Sequence, residues 1–500
     1  MTLEFDVLET TVLEIHDAME AGEVTSRELV EQYLERIEAY DRDGPELNAI
    51  ITVNPDARER ADELDEKFTE NGFVGPLHGV PVLVKDQAET AGITTTFGSE
   101  AFDDYVPERN ATIVTNLEEA GAIVLAKTNL PDWASSWFGT SSVIGRTKNP
   151  YALDRDPGGS SAGTGAGVAA NLGTVGIGED TGGSIRLPSS FCNLFGIRVT
   201  TGLISRTGLA PLVTRQDTAG PMARTVRDMA LLLDVLVGYD ADDEWTAATE
   251  LARVEGSYVD HLDEAGLEGA RIGVLRDAFG SDDDPNAAPV NDVVEQALEE
   301  LVDAGAELVD PVSVPDLMGQ IEETMLYVLQ SKHDLDQFLA DREDAPVGSV
   351  EEIYESGQYY EGLDLLEAIA EGPADPADEP GYWRKVAAQG SFRRDLLYTI
   401  ADHDLDAILF PDVQVVPPTD AELGETYTTA TFPTNTVIGA QTLCPAVSIP
   451  GGFTDDGVPV GVELLGRPYD EPRLLELAYA YEQAVDPRRS PETAPALGEE

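Results

Sequence analysis

Three observations predict an α/β protein built on a large mixed, mostly parallel β-sheet with helices on both faces. Short apolar runs at Leu77–Lys85, Ala122–Ala126, Arg271–Leu275, Asp406–Phe410 and Ala446–Ile449 recur between stretches of helical periodicity. Alternation of that kind marks sheets covered by helices. The 500 residues are 42% hydrophobic and 7% aromatic, enough for a large buried core. Two glycine-serine loops, Asp156–Gly163 and Asp180–Arg186, join helices to strands, and open α/β sheets gather functional loops at the carboxyl edge of their strands.

The elements follow in order. Thr25-Ser26-Arg27-Glu28 has the form of a capping box. Leu29, Tyr33, Leu34, Ile37 and Tyr40 then recur at helical spacing. Residues 1–70 are therefore expected to be a helical lead-in belonging to the same unit. A strand to Lys85, a helix over Ala111–Ala120 and a buried strand over Ala122–Ala126 come next. Ser161–Leu172 reads as a small-residue helix, Thr174–Ile177 as a short strand, and Thr225–Leu236 as an amphipathic helix. Gly372–Gly381, rich in proline, alanine and acids, reads as a surface loop or lid edge. The tail, 486–500, is expected to be frayed. Length alone suggests two or three domains, and a single compact unit over 71–485 is the alternative carried forward.

Charge excludes several function classes. Ninety-five acidic residues face 31 basic ones, for a formal net charge of −64, and lysine occurs six times, at Lys67, Lys85, Lys127, Lys148, Lys332 and Lys385. Nucleic-acid binding through a basic face is not expected. The acids are dispersed, with short clusters such as Asp282-Asp283-Asp284, which fits a coat adapted to high salt better than an interaction tail. Cys192 and Cys444 are the two cysteines, giving neither a disulfide framework nor a zinc pattern. No apolar run suits a membrane span and the N-terminus carries no signal pattern, so a cytoplasmic protein is expected.

Ser160 and Ser184 each follow a glycine pair, which lets peptide N–H groups converge on one point, as an oxyanion site requires. Lys85 ends an apolar strand. Serine, serine and a neutral lysine are the parts of a nucleophilic site in which an amine replaces histidine as base; the plain alternative for Lys85 is a surface lysine at a strand end. The five histidines, His16, His78, His261, His333 and His403, lie in no recognisable catalytic motif, and His78 is the nearest to the Lys85 strand. Gly159-Ser160-Ser161-Ala162-Gly163 formally fits a nucleophile elbow, but the turn-like Asp154–Pro157 precedes it where a strand is required. Gly163-Thr164-Gly165-Ala166-Gly167 lacks the spacing of a dinucleotide loop and reads as close helix packing.

VKD at 84–86, AKTN at 126–129, PGGSS at 157–161, DTGGSIR at 180–186, GPMART at 220–225 and the block from Ala446 to Glu482 together resemble the amidase signature family. The resemblance runs over roughly residues 10–485. It implies the amidase-signature fold and hydrolysis of a carboxamide to a carboxylate plus ammonia or amine, without cofactor or metal. It assigns Ser184 as nucleophile, Ser160 as a bridging serine after a cis peptide, and Lys85 as terminal base. Thr181, Gly182 and Gly183, with the Ser184 N–H, match the oxyanion hole, and Ser161, Asp180 and Arg186 match supporting residues. Glu179 departs from the family, where threonine or serine is common before the aspartate. Two other readings stand beside a stand-alone amidase. One is the glutaminase (A) subunit of a glutamyl-tRNA amidotransferase, whose Ser-Arg-Tyr-Asp-Gly-like segment is missing from Met325–His333. The other is an inactive binding protein on the same fold. Trp133, Trp137 and Phe138 fit the stand-alone amidases better. The substrate pocket is expected near Trp133–Thr140 and within the variable helices of 240–400, with Tyr327, Tyr359, Tyr360, Tyr382 and Trp383 as candidate wall residues. A small amide is the expected partner, and a homodimer is a further expectation.

At a charge of −64, carboxylates crowd well inside the dilute-buffer screening length of about 30 Å, which shrinks to about 3 Å at 1 M. Thermal midpoint and activity should rise steeply between dilute buffer and molar KCl. A melting midpoint that is flat across that range would contradict the salt-coat reading.

Overall fold

The computed structural model describes residues 5–252, 254 and 256–498. One sheet of eleven strands runs through it. In spatial order the strands are Ile50–Val53, Ile123–Thr128, Pro81–Lys85, Val175–Asp180, Thr218–Ala223, Phe195–Arg198, Ala446–Phe453, Pro459–Leu465, Ala407–Pro411, Arg271–Leu275 and Glu307–Val312. The α/β class and the mixed sheet agree with the sequence reading; the parallel share is smaller than expected. Four neighbouring pairs are parallel and six antiparallel. Two parallel wings flank an antiparallel centre. The physical reason lies in strands that periodicity does not reveal. Thr218–Ala223 carries Gly220-Pro221 in its interior, a pair that reads as a turn. Pro459–Leu465 returns on Ala446–Phe453 as a hairpin.

Alternation across the sheet separates two cores. Val82 and Val84 pack with Ile113, Val114 and Met229, whereas Leu83 packs with Leu125, Ala166 and Val168, as successive residues of a strand must. Lys85 therefore shares the Leu83 face. The Ala162–Ala169 helix lies close on that face because its glycines leave room. A side chain at Gly163 would strike the Ala49 carbonyl and the Asn129 backbone, and one at Gly167 would meet Leu83. Close packing is thus the role of the Gly163–Gly167 run.

Most local expectations agree within a few residues: helices over Thr112–Glu119 and Val226–Leu236, the latter capped by Thr225, and the Thr25–Glu28 capping box. The lead-in also contributes an edge strand, Ile50–Val53. Helices at Leu317–Thr324, Tyr327–Ala340, Val350–Ser356, Asp364–Ala370 and Tyr382–Asp402 make up much of the region before residue 402. Several of them cover an aromatic core that includes Phe97, Phe102, Trp133 and Phe338. Among the described residues no helix is long and apolar enough to cross a membrane.

The tail corrects the expectation of fraying. Ala494 is fully buried, and Arg36 donates to the carbonyls of Ala494 and Pro495, 2.8 Å each. Arg488 pairs with Glu9 at 2.9 Å and donates to the Ala169 carbonyl at 2.8 Å. Basic side chains reaching exposed carbonyls hold this segment, a signal that composition does not carry; Glu499 and Glu500 lie outside the described residues. Breaking a buried pair by removing one partner costs about 3–5 kcal/mol. Because the Glu9 side chain is 30% exposed, Arg488→Ala should lose less, about 2–3 kcal/mol, read as a lower denaturation midpoint in molar KCl.

Candidate active site

Lys85, at the end of its strand, is 2% exposed. Its Nζ lies 2.8 Å from Ser160 Oγ, 3.2 Å from the Glu179 carbonyl oxygen and 3.3 Å from Glu179 Oε2. The peptide between Gly159 and Ser160 is cis. Ser161 stitches the two glycine-serine loops together. Its N–H donates to the Ser184 carbonyl at 3.2 Å, its hydroxyl donates to the Glu179 carbonyl at 3.2 Å, and the Glu179 N–H donates to its hydroxyl at 3.3 Å. Ser184, 4% exposed, is thereby held with its carbonyl against Ser161. Upstream, the Asp156 carboxylate accepts from the N–H groups of Gly139 and Gly158, which fixes the turn into Ser160. No strand precedes that turn, so the elbow reading fails.

Asp180 and Arg186 support the second loop from below. The Asp180 carboxylate meets Arg186 Nη2 at 3.1 Å and Arg198 Nη1 at 2.8 Å, and accepts from the Ile185 N–H at 3.2 Å. Burial would raise its pKa, but the two guanidinium groups outweigh burial and hold it at about 2. Arg186 Nη1 also reaches Glu463 Oε1 at 2.6 Å. Gln216 Nε2 donates to the Thr181 carbonyl at 3.0 Å.

Gly182 and Gly183 have no room for side chains. A Cβ at Gly182 would collide with Tyr327 Oη and approach Trp137, and one at Gly183, whose φ is +149°, would strike Thr436. Among the described residues no acceptor pairs with the N–H groups of Gly182 and Gly183. Trp137 and Tyr327 meet edge to face at 6.3 Å. Of the candidate wall residues, Tyr327 alone is shown against this loop. Tyr382 bonds Gln330 at 3.2 Å, Trp383 is 64% exposed, and Trp133 stacks on Phe97 in the core.

Burial lowers the Lys85 pKa, partly opposed by Glu179. Burial raises Glu179 to about 7, against the pull of Lys85, and raises Asp217 as well. His78 is buried among Phe68, Phe73 and His16, and burial lowers its pKa to about 4; it serves packing. The contact of Glu179 with Lys85 escapes sequence reading. Asp217, Gln216, Tyr327 and Thr436 reach the loop from distant segments with no motif of their own. Among the described residues no group of three His, Cys, Asp or Glu side chains is placed to hold a metal ion.

Arg186→Met would take the guanidinium from Glu463 and leave Asp180 with Arg198 alone. The expected loss is about 3–5 kcal/mol. The folded pKa of Asp180, about 2, lies below the usual value of about 3.9. Its stabilisation is therefore complete above about pH 4 and fades as pH falls toward 2. Acid unfolding followed by circular dichroism should begin at higher pH in the variant.

Residues 28–475 match the model of the family described as Amidase. The A subunit of glutamyl-tRNA(Gln) amidotransferase from Thermoanaerobacter pseudethanolicus is 33% identical over 498 residues, covering 95% of this chain and 96% of that one. Among solved structures, native peptide amidase from Stenotrophomonas maltophilia is similar at a TM-score of 0.85 and 36% identity, covering 97% of this chain and 99% of that one. The amidotransferase A subunit from Thermotoga maritima gives a TM-score of 0.75 at 26% identity, covering 97% and 96%.

Proposed function

The chain belongs to the Amidase family and hydrolyses amides, and from that premise we propose that it is a stand-alone amidase, independent of cofactors, working through Ser184, Ser160 and Lys85. Ser184 Oγ attacks the carboxamide carbon. Its proton passes to Ser160 Oγ while the Ser160 proton passes to Lys85 Nζ, and the carbonyl π electrons move onto oxygen. The N–H groups of Thr181, Gly182, Gly183 and Ser184 receive that oxyanion. The proton returns along the same relay to the departing nitrogen, and water then cleaves the acyl-enzyme in the same way. Ser161, Asp180 and Arg186 hold the two loops in register.

The observation that carries this reading is the 2.8 Å contact between Lys85 Nζ and Ser160 Oγ, in a buried site that lowers the amine's pKa. The stand-alone reading draws on the greater similarity to peptide amidase than to the Thermotoga amidotransferase chain, and on the missing Ser-Arg-Tyr-Asp-Gly-like segment at Met325–His333. Peptide amides are the first substrates to try, against the wall made by Trp137 and Tyr327. The amidotransferase reading stays as the second, because a relative of that name matches over nearly the full length. The dispersed acids are read as adaptation to high salt, so assays belong in molar KCl.

Ser184→Ala should abolish turnover of an amide panel and labelling by a fluorophosphonate probe. Lys85→Ala should slow acylation by at least about 100-fold while the melting midpoint stays near wild type. With wild type, kcat/KM should rise with pH through a depressed lysine pKa. Hydrolysis of glutamine alone, with no turnover of peptide amides, would favour the amidotransferase reading; full labelling of the Ser184→Ala protein at Ser161 would remove the proposed nucleophile.

A further inference from the structure

On the relay just proposed rests a role for Glu179, the residue whose carboxyl touches Lys85. Thr181 Oγ1 stands between two buried carboxyl groups, 3.0 Å from Glu179 Oε1 and 2.6 Å from Asp217 Oδ1. A hydroxyl has one proton to donate. It can serve one carboxylate, and the second contact is a hydrogen bond only if that carboxyl brings its own proton. Asp217 is the better-served anion, since the N–H groups of Val213 and Leu212 donate to its two oxygens at 3.0 Å each. Among the described residues the Glu179 carboxyl bonds only Thr181 and Lys85. The proton therefore belongs on Glu179.

We propose that Glu179 is a carboxylic acid kept neutral, which positions Lys85 as a neutral amine with its lone pair toward Ser160. Glu179 Oε1–H donates to Thr181, Thr181 donates to Asp217, and Glu179 Oε2 accepts from Lys85 Nζ. A neutral amine has two N–H bonds and one lone pair. The three contacts of Nζ use all of them: the N–H bonds go to Glu179 Oε2 and the Glu179 carbonyl, and the lone pair receives the Ser160 proton. The ion-pair form contains the same number of protons but leaves an ammonium facing Ser160, with no lone pair for the relay. It also buries two charges, each of which costs desolvation free energy.

The surroundings agree. Burial raises Glu179 to about 7 and lowers Lys85, both in the sense of the neutral pair. The other titratable and charged groups around it are Asp180, Asp217 and Tyr327, with Arg206, Asp242, Asp243, Asp334 and Asp341 across a shared cavity. Asp180 is neutralised by Arg186 and Arg198, and Arg206 is engaged by Asp243. Glu179 and Asp217 also line a cavity of about 230 Å³ with Asp334 and Arg206. Glu179 is a positioning residue in this scheme, acting on substrate only through Lys85.

The test compares Glu179→Gln and Glu179→Ala across pH on the full chain in molar KCl. Glutamine offers an N–H to Thr181 and an oxygen to Lys85 and cannot ionise. The expected results are a fall in kcat below about tenfold for Gln and of about 10–100-fold for Ala, the range typical of lost orienting partners, with KM unchanged in both. The acid limb of kcat/KM should keep its midpoint in Glu179→Gln. If Glu179 is instead an anion, removing its charge lowers the lysine pKa, and the limb moves to lower pH by about one unit or more; that shift overturns the proposal. A second readout needs less of the glutamine variant. The infrared difference spectrum of wild type minus Glu179→Thr, taken at the top of the acid limb where Lys85 is neutral, should contain the C=O band of a protonated carboxyl. Its absence also overturns the proposal. Lys85→Ala in the same series separates the two levels. Retained turnover there defeats the relay, whereas lost turnover together with a shifted Glu179→Gln limb defeats only the role of Glu179.

Discussion

One buried carboxylate organises the site. Asp180 has left water entirely, a state that an unpaired charge does not survive. Arg186 and Arg198 make it tolerable, and in doing so they fix the loop between residues 180 and 186 from both sides. Arg186 continues to Glu463 on the Pro459–Leu465 strand. Arg198 continues to the carbonyl of Gln216 and the hydroxyl of Thr201. The glycines of the loop permit its path, but they do not choose it. The choice comes from charge neutralisation that draws on several strands at once.

The two deeply buried lysines show how similar positions diverge. Lys127 lies opposite Val84 on the adjacent parallel strand, one position out of step with Lys85, and it has three oxygen acceptors: Asp86 Oδ1 at 2.9 Å, the Ala88 carbonyl at 2.8 Å and Thr95 Oγ1 at 3.0 Å. Asp86 also accepts from the N–H and hydroxyl of Thr96. Burial lowers the Lys127 pKa, opposed by Asp86, and the three acceptors match the three N–H bonds of an ammonium. Around Lys85 the carboxyl is shared with a hydroxyl that already serves another acid, and the third neighbour is a serine able to donate. Burial is common to both lysines; the supply of protons around them differs.

Much of this was legible in the chain and some of it could not be. Ser160, Ser184 and Lys85 stand in motifs whose chemistry is local, so type and spacing were enough to nominate them. Glu179 was visible as an oddity of the motif, but its partner lies 94 positions away, and no local pattern records such a contact. The α/β class followed from alternation, whereas the antiparallel centre did not, because Gly220-Pro221 disguises one strand and a hairpin adds another. The tail was misread because its order comes from Arg36 and Arg488 bonding to carbonyls and to Glu9, interactions that hydrophobicity does not measure.

The mixed polarity of the sheet has a consequence for how the site can change. Val175–Asp180 runs parallel to Pro81–Lys85 on one side and antiparallel to Thr218–Ala223 on the other. One rim of the sheet therefore collects strand ends such as Lys85 and Asp180 together with a strand beginning, Thr218, opposite Asp180. Gln216 and Asp217 arrive at Thr181 only because that strand enters from this rim. A slip of one residue in its register would turn its side chains to the opposite face and withdraw both groups from the loop. Segments far apart in the chain are thereby bound to a common reading frame, and an insertion before Thr218 would be felt at Lys85 before it was felt anywhere in the core.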